Sequence, residues 1–211
     1  MATGRAMSSV AVLAKAPVPG FAKTRLIPRL GAEGAADLQA RLTERAVATA
    51  LAAGIGPVTL WCAPETSHPA FLALAQQFGV TLRVQPEGDI GRRMLAAFEA
   101  TAGPLVLIGT DCPVLRPDDL RASLNAVEGG ADAAFSPAED GGYGLVAAAR
   151  ALPALFEGVP WSTGEVMSET RARAAEAALS LALLDPVWDV DMPQDYDRLV
   201  ASGLMRDRRL P

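Results

Sequence analysis

Residues 10–30 read Val10-Ala-Val-Leu13 and then Ala14-Lys-Ala-Pro-Val-Pro-Gly-Phe-Ala-Lys-Thr-Arg-Leu-Ile-Pro-Arg-Leu30. The apolar run has the make-up of a buried strand. The segment after it, broken by Pro17, Pro19 and Gly20, carries Lys15, Lys23, Arg25 and Arg29 and no acid, in a chain of net charge -5. A basic loop leaving the carboxyl end of a first strand is where open α/β sheets receive phosphates. Its cations repel one another, and a di- or triphosphate would relieve that repulsion, with Arg forking onto oxygens and Lys acting as a point charge. The competing reading is a basic loop whose charges are merely solvated.

Outward from this stretch, apolar runs alternate with helical patterns, the signature of an α/β fold with a largely parallel sheet. Strands are predicted at 9–13, 58–62, 80–85, 105–108, 131–136, 143–147 and 181–184. Helices are predicted at 32–53, 69–78, 90–101, 117–127, 164–179 and 194–202. The strand–helix order weakens after Ala138, which points to a small antiparallel excursion before the final strand. Residues 9–205 read as one domain, with tails at 1–8 and 206–211. An acidic chain, pI near 5.0, argues against a nucleic-acid partner. No apolar stretch reaches 18 residues, so no membrane span is expected. Two cysteines, Cys62 and Cys112, suggest neither a disulfide framework nor a zinc site and suit a reducing cytoplasm. A homodimer is compatible with the chain but not required by it.

The second informative segment is Leu105-Val-Leu-Ile-Gly-Thr-Asp-Cys-Pro-Val-Leu115. It delivers Asp111 to the sheet edge that holds the basic loop. A carboxylate beside a phosphate needs a cation between them, and Mg²⁺ (or Mn²⁺) bridges such groups with one or two carboxylates plus waters. Asp111 could instead cap the following turn. In Trp188-Asp-Val-Asp-Met-Pro193 the alternating Asp189 and Asp191 share a face in an extended segment. One of them, with Asp111, would complete a metal site; the competing reading makes Asp191 the N-cap of the helix that starts at Met192–Pro193.

Two further segments read as walls of a site. In Gln85-Pro-Glu-Gly-Asp-Ile-Gly-Arg-Arg-Met94, Gly88 lets a flat ring approach, and Asp89 either caps a helix or binds a ribose or base. In Asp140-Gly-Gly-Tyr143 and Trp161-Ser-Thr163, the glycines mark a turn or a grip on an acceptor, and the aromatic and hydroxyl groups offer a lid or packing. His68, the only histidine, sits before Pro69 at a helix start and reads as a surface residue, which argues against a Ser–His–Asp or histidine-rich metal mechanism.

In this combination and order, the segments resemble the bacterial nucleotide-diphospho-sugar-transferase-like proteins called radical-SAM/selenodomain-associated transferases. Ala22-Lys-Thr-Arg-Leu26 also resembles the first motif of 2-phospho-L-lactate guanylyltransferase, and Gly109–Pro113 that of sugar and molybdenum-cofactor nucleotidyltransferases. The resemblance implies a Rossmann-like α/β/α sandwich of the glycosyltransferase-A type. Two departures stand out: Lys15-Ala-Pro-Val-Pro19 replaces a glycine-rich phosphate loop, and no Asp-x-Asp occupies the Asp111 position. Side-chain cations must then do more of the phosphate binding.

The reading that results is a Mg²⁺-dependent transferase moving a nucleotidyl group from a nucleoside triphosphate to a small phosphorylated or acidic acceptor, releasing pyrophosphate. Lys23, Arg25 and Asp111 are its catalytic candidates. Ala14, Lys15, Ala16, Lys23, Arg25, Gln85, Gly88 and Asp89 would bind the nucleotide. Asp140, Gly141, Gly142, Tyr143, Trp161, Ser162 and Thr163 would face the acceptor, and Asp111 with Asp191 or Asp189 would hold metal. The alternatives are a glycosyltransferase using a nucleotide-sugar, with Asp140 as acceptor base, and a non-catalytic nucleotide-binding module. A dehydrogenase is a poorer reading still, since no Gly-x-Gly-x-x-Gly follows the first strand.

Overall fold

A computed structural model describes residues 6–205. The predicted tails lie outside the described residues except for residues 6–8. The latter run against the sheet's lower edge: a Cβ on Gly103 would stand 2.6 Å from the Met7 carbonyl oxygen.

The strands are β1 (Ser9–Lys15), β2 (Val58–Ala63), β3 (Thr81–Val84), β4 (Leu105–Ile108), β5 (Ala133–Pro137), β6 (Tyr143–Ala148) and β7 (Leu181–Leu183). The helices are α1 (Ile27–Ala52), α2 (Pro69–Phe78), α3 (Ile90–Glu99), α4 (Pro117–Glu128), α5 (Val166–Glu176) and α6 (Pro193–Ser202). One seven-stranded sheet runs in the order β3-β2-β1-β4-β6-β5-β7. Only β6 is antiparallel to its neighbours, pairing β4 on one side and β5 on the other. This is the predicted excursion. It arises because the five residues 138–142 between β5 and β6 are too few for a parallel crossover.

Residue alternation sorts the core onto the sheet's two faces. Val10, Val12, Val106, Ile108 and Leu145 pack with α1, α2 and α4 through Val47, Phe71 and Leu120. Ala11, Leu13, Leu105, Leu107 and Val146 pack on the other face with Leu95, Phe98, Phe156 and Met167. Both faces are covered, so the central strands are apolar on both sides and read as continuous runs. A third cluster joins α1 to the C-terminal segment through Leu38, Leu42, Trp188 and Leu199.

The helix predicted from Ala32 is preceded by one turn at 27–30, and Gly31, at φ 72°, breaks the two apart. His68 caps α2, its Nδ1 accepting from the Ala70 amide at 3.2 Å. Asp119 accepts from the Arg116 amide at the start of α4 at 2.8 Å. Among the described residues, no helix is long and apolar enough to cross a membrane.

Strand order reverses between β1, which leads to β2 and β3, and β4 on its other side. At such a switch point the loops leaving adjacent strands diverge and open a crevice at the carboxyl edge. Lys15 ends β1 there, and Gly109–Asp111 continue β4 into it.

Candidate active site

A cavity of about 560 Å³ fills that crevice. Its basic side comes from the loop after β1. Lys23 has a left-handed backbone, φ 47° and ψ 46°, a conformation uncommon for a residue with a side chain. Ser162, at φ 64°, also lines the cavity. Strained backbone tends to collect at functional sites.

Lys23 Nζ lies 2.7 Å from Asp111 Oδ1, and its side chain is only 4% exposed. It also donates to the Val190 carbonyl oxygen at 2.6 Å. Asp111 in turn accepts the Val190 amide on its own carbonyl oxygen at 2.9 Å. These contacts fasten three segments that are distant in sequence: the basic loop, the end of β4 and residues 189–191. A relay from α1 orients Asp111. Gln39 Nε2 donates to Thr110 Oγ1 at 3.0 Å, and that hydroxyl donates to Asp111 Oδ1 at 3.0 Å.

The other loop cations also have partners. Lys15 Nζ donates to the Phe21 carbonyl oxygen at 2.6 Å. Arg25 pairs with Asp191, and both are substantially exposed. Arg29 pairs with Asp197 at 3.1 Å and lies outside the cavity. The repulsion anticipated among the four is therefore relieved within the protein. For Arg25 and Arg29 the reason is that residues 191–197 fold back over the loop, which no local pattern discloses.

Asp111, Asp140, Asp189 and Asp191 all line the cavity. Burial, then the neighbouring Asp140, pushes the Asp189 carboxyl up to about 6. Asp191 is not a helix cap: Met192 holds that position, and Asp195 accepts the Asp191 and Met192 amides at 3.1 and 2.6 Å. Among the described residues, no group of three or more His, Cys, Asp or Glu side chains is gathered for a metal ion. The residues still fit Mg²⁺. That ion needs only one or two carboxylates beside phosphate oxygens and water, and mutually repelling acids at the ends of β4 and residues 189–191 are such a pair.

Of the predicted nucleotide wall, Ala14, Lys15, Lys23, Arg25 and Gln85 line the cavity, whereas Ala16, Gly88 and Asp89 do not. Gln85 Nε2 donates to the carbonyl oxygens of Ala14 and Trp61 at 3.0 and 2.8 Å, clamping the ends of β1 and β2. Asp89 caps α3, accepting the Arg92 amide at 2.8 Å. Ala16 is buried and donates its amide to the Ala63 carbonyl oxygen at 2.7 Å.

On the other side, Asp140, Gly142, Tyr143, Trp161, Ser162 and Thr163 line the cavity and Gly141 does not. Gly141 has another task. At φ 90° it passes so close to the next loop that a Cβ would stand 2.1 Å from the Gly164 carbonyl oxygen. Asp140 Oδ1 accepts the Gly142 amide at 2.9 Å, so the segment is a turn, and Asp140 and Gly142 within it line the cavity.

The sequence reading missed Phe21, Gln39, Arg93 and Cys112, all in the cavity wall. Helical spacing could have found Arg93: Ile90, Arg93 and Met94 lie at i, i+3 and i+4 on one face of α3. Phe21 is 67% exposed at the mouth. Burial, reinforced by Asp111, holds the Cys112 thiol protonated and unreactive.

Residues 35–163 match the DUF2064 family, described as uncharacterized proteins conserved in bacteria. The chain is 32% identical over 206 residues to the phosphoenolpyruvate guanylyltransferase of Rubrobacter xylanophilus, covering 92% of this chain and 96% of that protein. It is 31% identical over 212 residues to the enzyme of the same name from Geodermatophilus obscurus, covering 97% of this chain and 93% of that protein. Among solved structures it superposes on a Desulfovibrio desulfuricans G20 protein that carries a provisional assignment as a nucleotide-diphospho-sugar transferase. There the TM-score is 0.82 and the identity 26%, covering 96% of this chain and 89% of that chain. The fold implied by the motif resemblance is the fold observed.

Proposed function

The chain belongs to the DUF2064 family and is a transferase, and from that premise we propose that it moves a nucleotidyl group from a nucleoside triphosphate onto a small phosphorylated acid. The names of its relatives make GTP and phosphoenolpyruvate the first pair to try. In this reaction an acceptor phosphate oxygen attacks the α-phosphorus, the bond to the β-phosphate breaks, and pyrophosphate leaves. The protein's part is to position reactants and neutralise charge.

The observation that carries this reading is the Lys23–Asp111 pair, held at the switch point in a cavity large enough for a nucleotide. Two of the three Lys23 donors are committed to Asp111 and Val190, which leaves one for a phosphate oxygen. Its position is fixed before the ligand arrives, so little reorganisation is needed at reaction. Arg25 differs. Its exposed pair with Asp191 is weak, so the triphosphate can replace that partner with two oxygens. Lys15, on the same loop, adds a point charge. Asp111 and Asp189 would hold a Mg²⁺ or Mn²⁺ ion, which supplies charge neutralisation on the triphosphate. Asp140 would accept a proton or hydrogen bond from the acceptor. The free thiols Cys62 and Cys112 support a reducing compartment.

The second reading, transfer of a sugar from a nucleotide-sugar, draws on the assignment of the Desulfovibrio protein. Product analysis separates the two. With GTP, Mg²⁺ and phosphoenolpyruvate, we expect pyrophosphate release that depends on both substrates. Release of a nucleoside diphosphate from a nucleotide-sugar, with no pyrophosphate from any triphosphate, would establish the second reading instead.

A further inference from the structure

Among the described residues, three buried side-chain polar atoms have no hydrogen-bond partner: Arg93 Nε, the Tyr143 hydroxyl and Trp161 Nε1. All three residues contribute to the wall of the same cavity. Packing also connects them. A Cβ on Gly91, in the first turn of α3, would stand 2.4 Å from Trp161 Nε1. Tyr143 meets Trp161 edge to face, 6.3 Å between ring centroids. Arg93 follows Gly91 by two residues on the same helix.

A buried donor without an acceptor is destabilising, and native proteins keep few of them. Their confinement to one stretch of cavity wall marks a place for something that accepts hydrogen bonds. Arg93 also differs from the other cations of the cavity. Lys15, Lys23 and Arg25 each have an acceptor in the protein. Arg92, next in sequence, pairs with Glu99 at 2.9 Å. Arg93 has no hydrogen bond or ion pair among the described residues, so its charge awaits a counter-ion.

We propose that Arg93, Trp161 and Tyr143 form the subsite for the acceptor's carboxylate, the anionic group that does not react. This rests on the transfer reading above, since it assumes an acceptor with both a phosphate and a carboxylate. One cation and two neutral donors balance a single negative charge. A phosphate dianion would leave excess charge beside Leu13, Ile90 and Met94, where desolvation is costly. The Nε edge of a guanidinium forks onto a planar pair of oxygens, which a carboxylate presents. Burial holds the Tyr143 hydroxyl protonated, so it is available as a donor. The positive end of α3 adds to the attraction.

Phosphoglycolate and ethyl phosphate are both phosphate monoesters, and only the first carries a carboxylate. By calorimetry with Mg²⁺ present, the wild type should bind phosphoglycolate at least about tenfold more tightly, a typical return for a charge-assisted contact. Arg93→Gln should erase that preference while leaving GTP affinity within about twofold. Tyr143→Phe, which keeps the ring and its packing, should reduce the preference several-fold and carries the test if Arg93→Gln does not fold. The subsite is overturned if the preference survives in the folded variant, or if GTP binding falls as far as phosphoglycolate binding. Pyrophosphate release, measured in parallel, reads the transfer reaction separately. A carboxylate preference lost in Arg93→Gln, without pyrophosphate from any phosphate monoester, would sink the transfer reading and leave the subsite standing.

Discussion

The loop after β1 and the wall built by α3, the start of β6 and residues 156–163 border the same cavity, yet their polar groups are in opposite states. In the loop, Lys15, Lys23, Arg25 and Arg29 all have protein acceptors. In the wall, Arg93, Tyr143 and Trp161 hold buried atoms that have none among the described residues. The loop looks like the binding site in the sequence because charge is dense there. Density of charge and availability of charge are different properties. A cation that is already paired contributes by being fixed or by exchanging a weak partner, whereas an unpaired buried donor contributes by having nothing to give up.

The largest effect should come from the fixed half of the loop. Lys23→Met removes the buried ammonium and leaves Asp111, 48% exposed, to be covered by water. Loss of one preorganised charge from a reaction centre costs on the order of 10²–10³-fold in kcat. A steady-state assay showing less than a tenfold loss would reduce Lys23 to a strut for residues 189–191.

Next in size is a change that disturbs the wall without altering charge. Gly91→Ala drives a methyl to within 2.4 Å of Trp161 Nε1 and 2.3 Å of the Phe156 carbonyl oxygen. Overpacking of this kind destabilises by about 1–3 kcal/mol. The thermal midpoint should fall and the acceptor KM should rise, with GTP affinity unchanged. A parallel loss of GTP affinity would erase the functional distinction between the two regions.

The smallest effect concerns the exchangeable pair. In a double-mutant cycle on Arg25→Ala and Asp191→Ala, the stability coupling should be below about 1 kcal/mol, since both groups are solvated. Arg25→Ala alone should weaken GTP binding, and added salt should narrow the gap from wild type. A large stability coupling with unchanged GTP binding would make this pair a structural clasp.

The strand and helix order was legible from Val10 to Ser202 because both faces of the sheet are covered. Covered faces make strands such as Leu105–Ile108 wholly apolar, while helices such as Pro69–Phe78 keep their own period and caps. Asp111 was legible for the same reason: an apolar strand that stops at Gly109 has to present the next residues at the sheet edge. Arg93 was passed over because its neighbours Gly88 and Asp89 carry the stronger local signal. That signal turned out to belong to a helix cap.

The sequence by itself therefore determined the alternation of elements, the edge on which the site opens and the residue types gathered there. These follow from periodicities of two and 3.6 residues and from turn chemistry, which are local. Tertiary structure alone decided which charges are already satisfied. Asp191 and Asp197 return to the basic loop from more than 160 positions away in the chain, while no acid among the described residues returns to Arg93. Pairing depends on where distant segments land when the sheet's layers pack, and burial multiplies the consequence, because a charge out of water must find its partner in the protein or in a ligand.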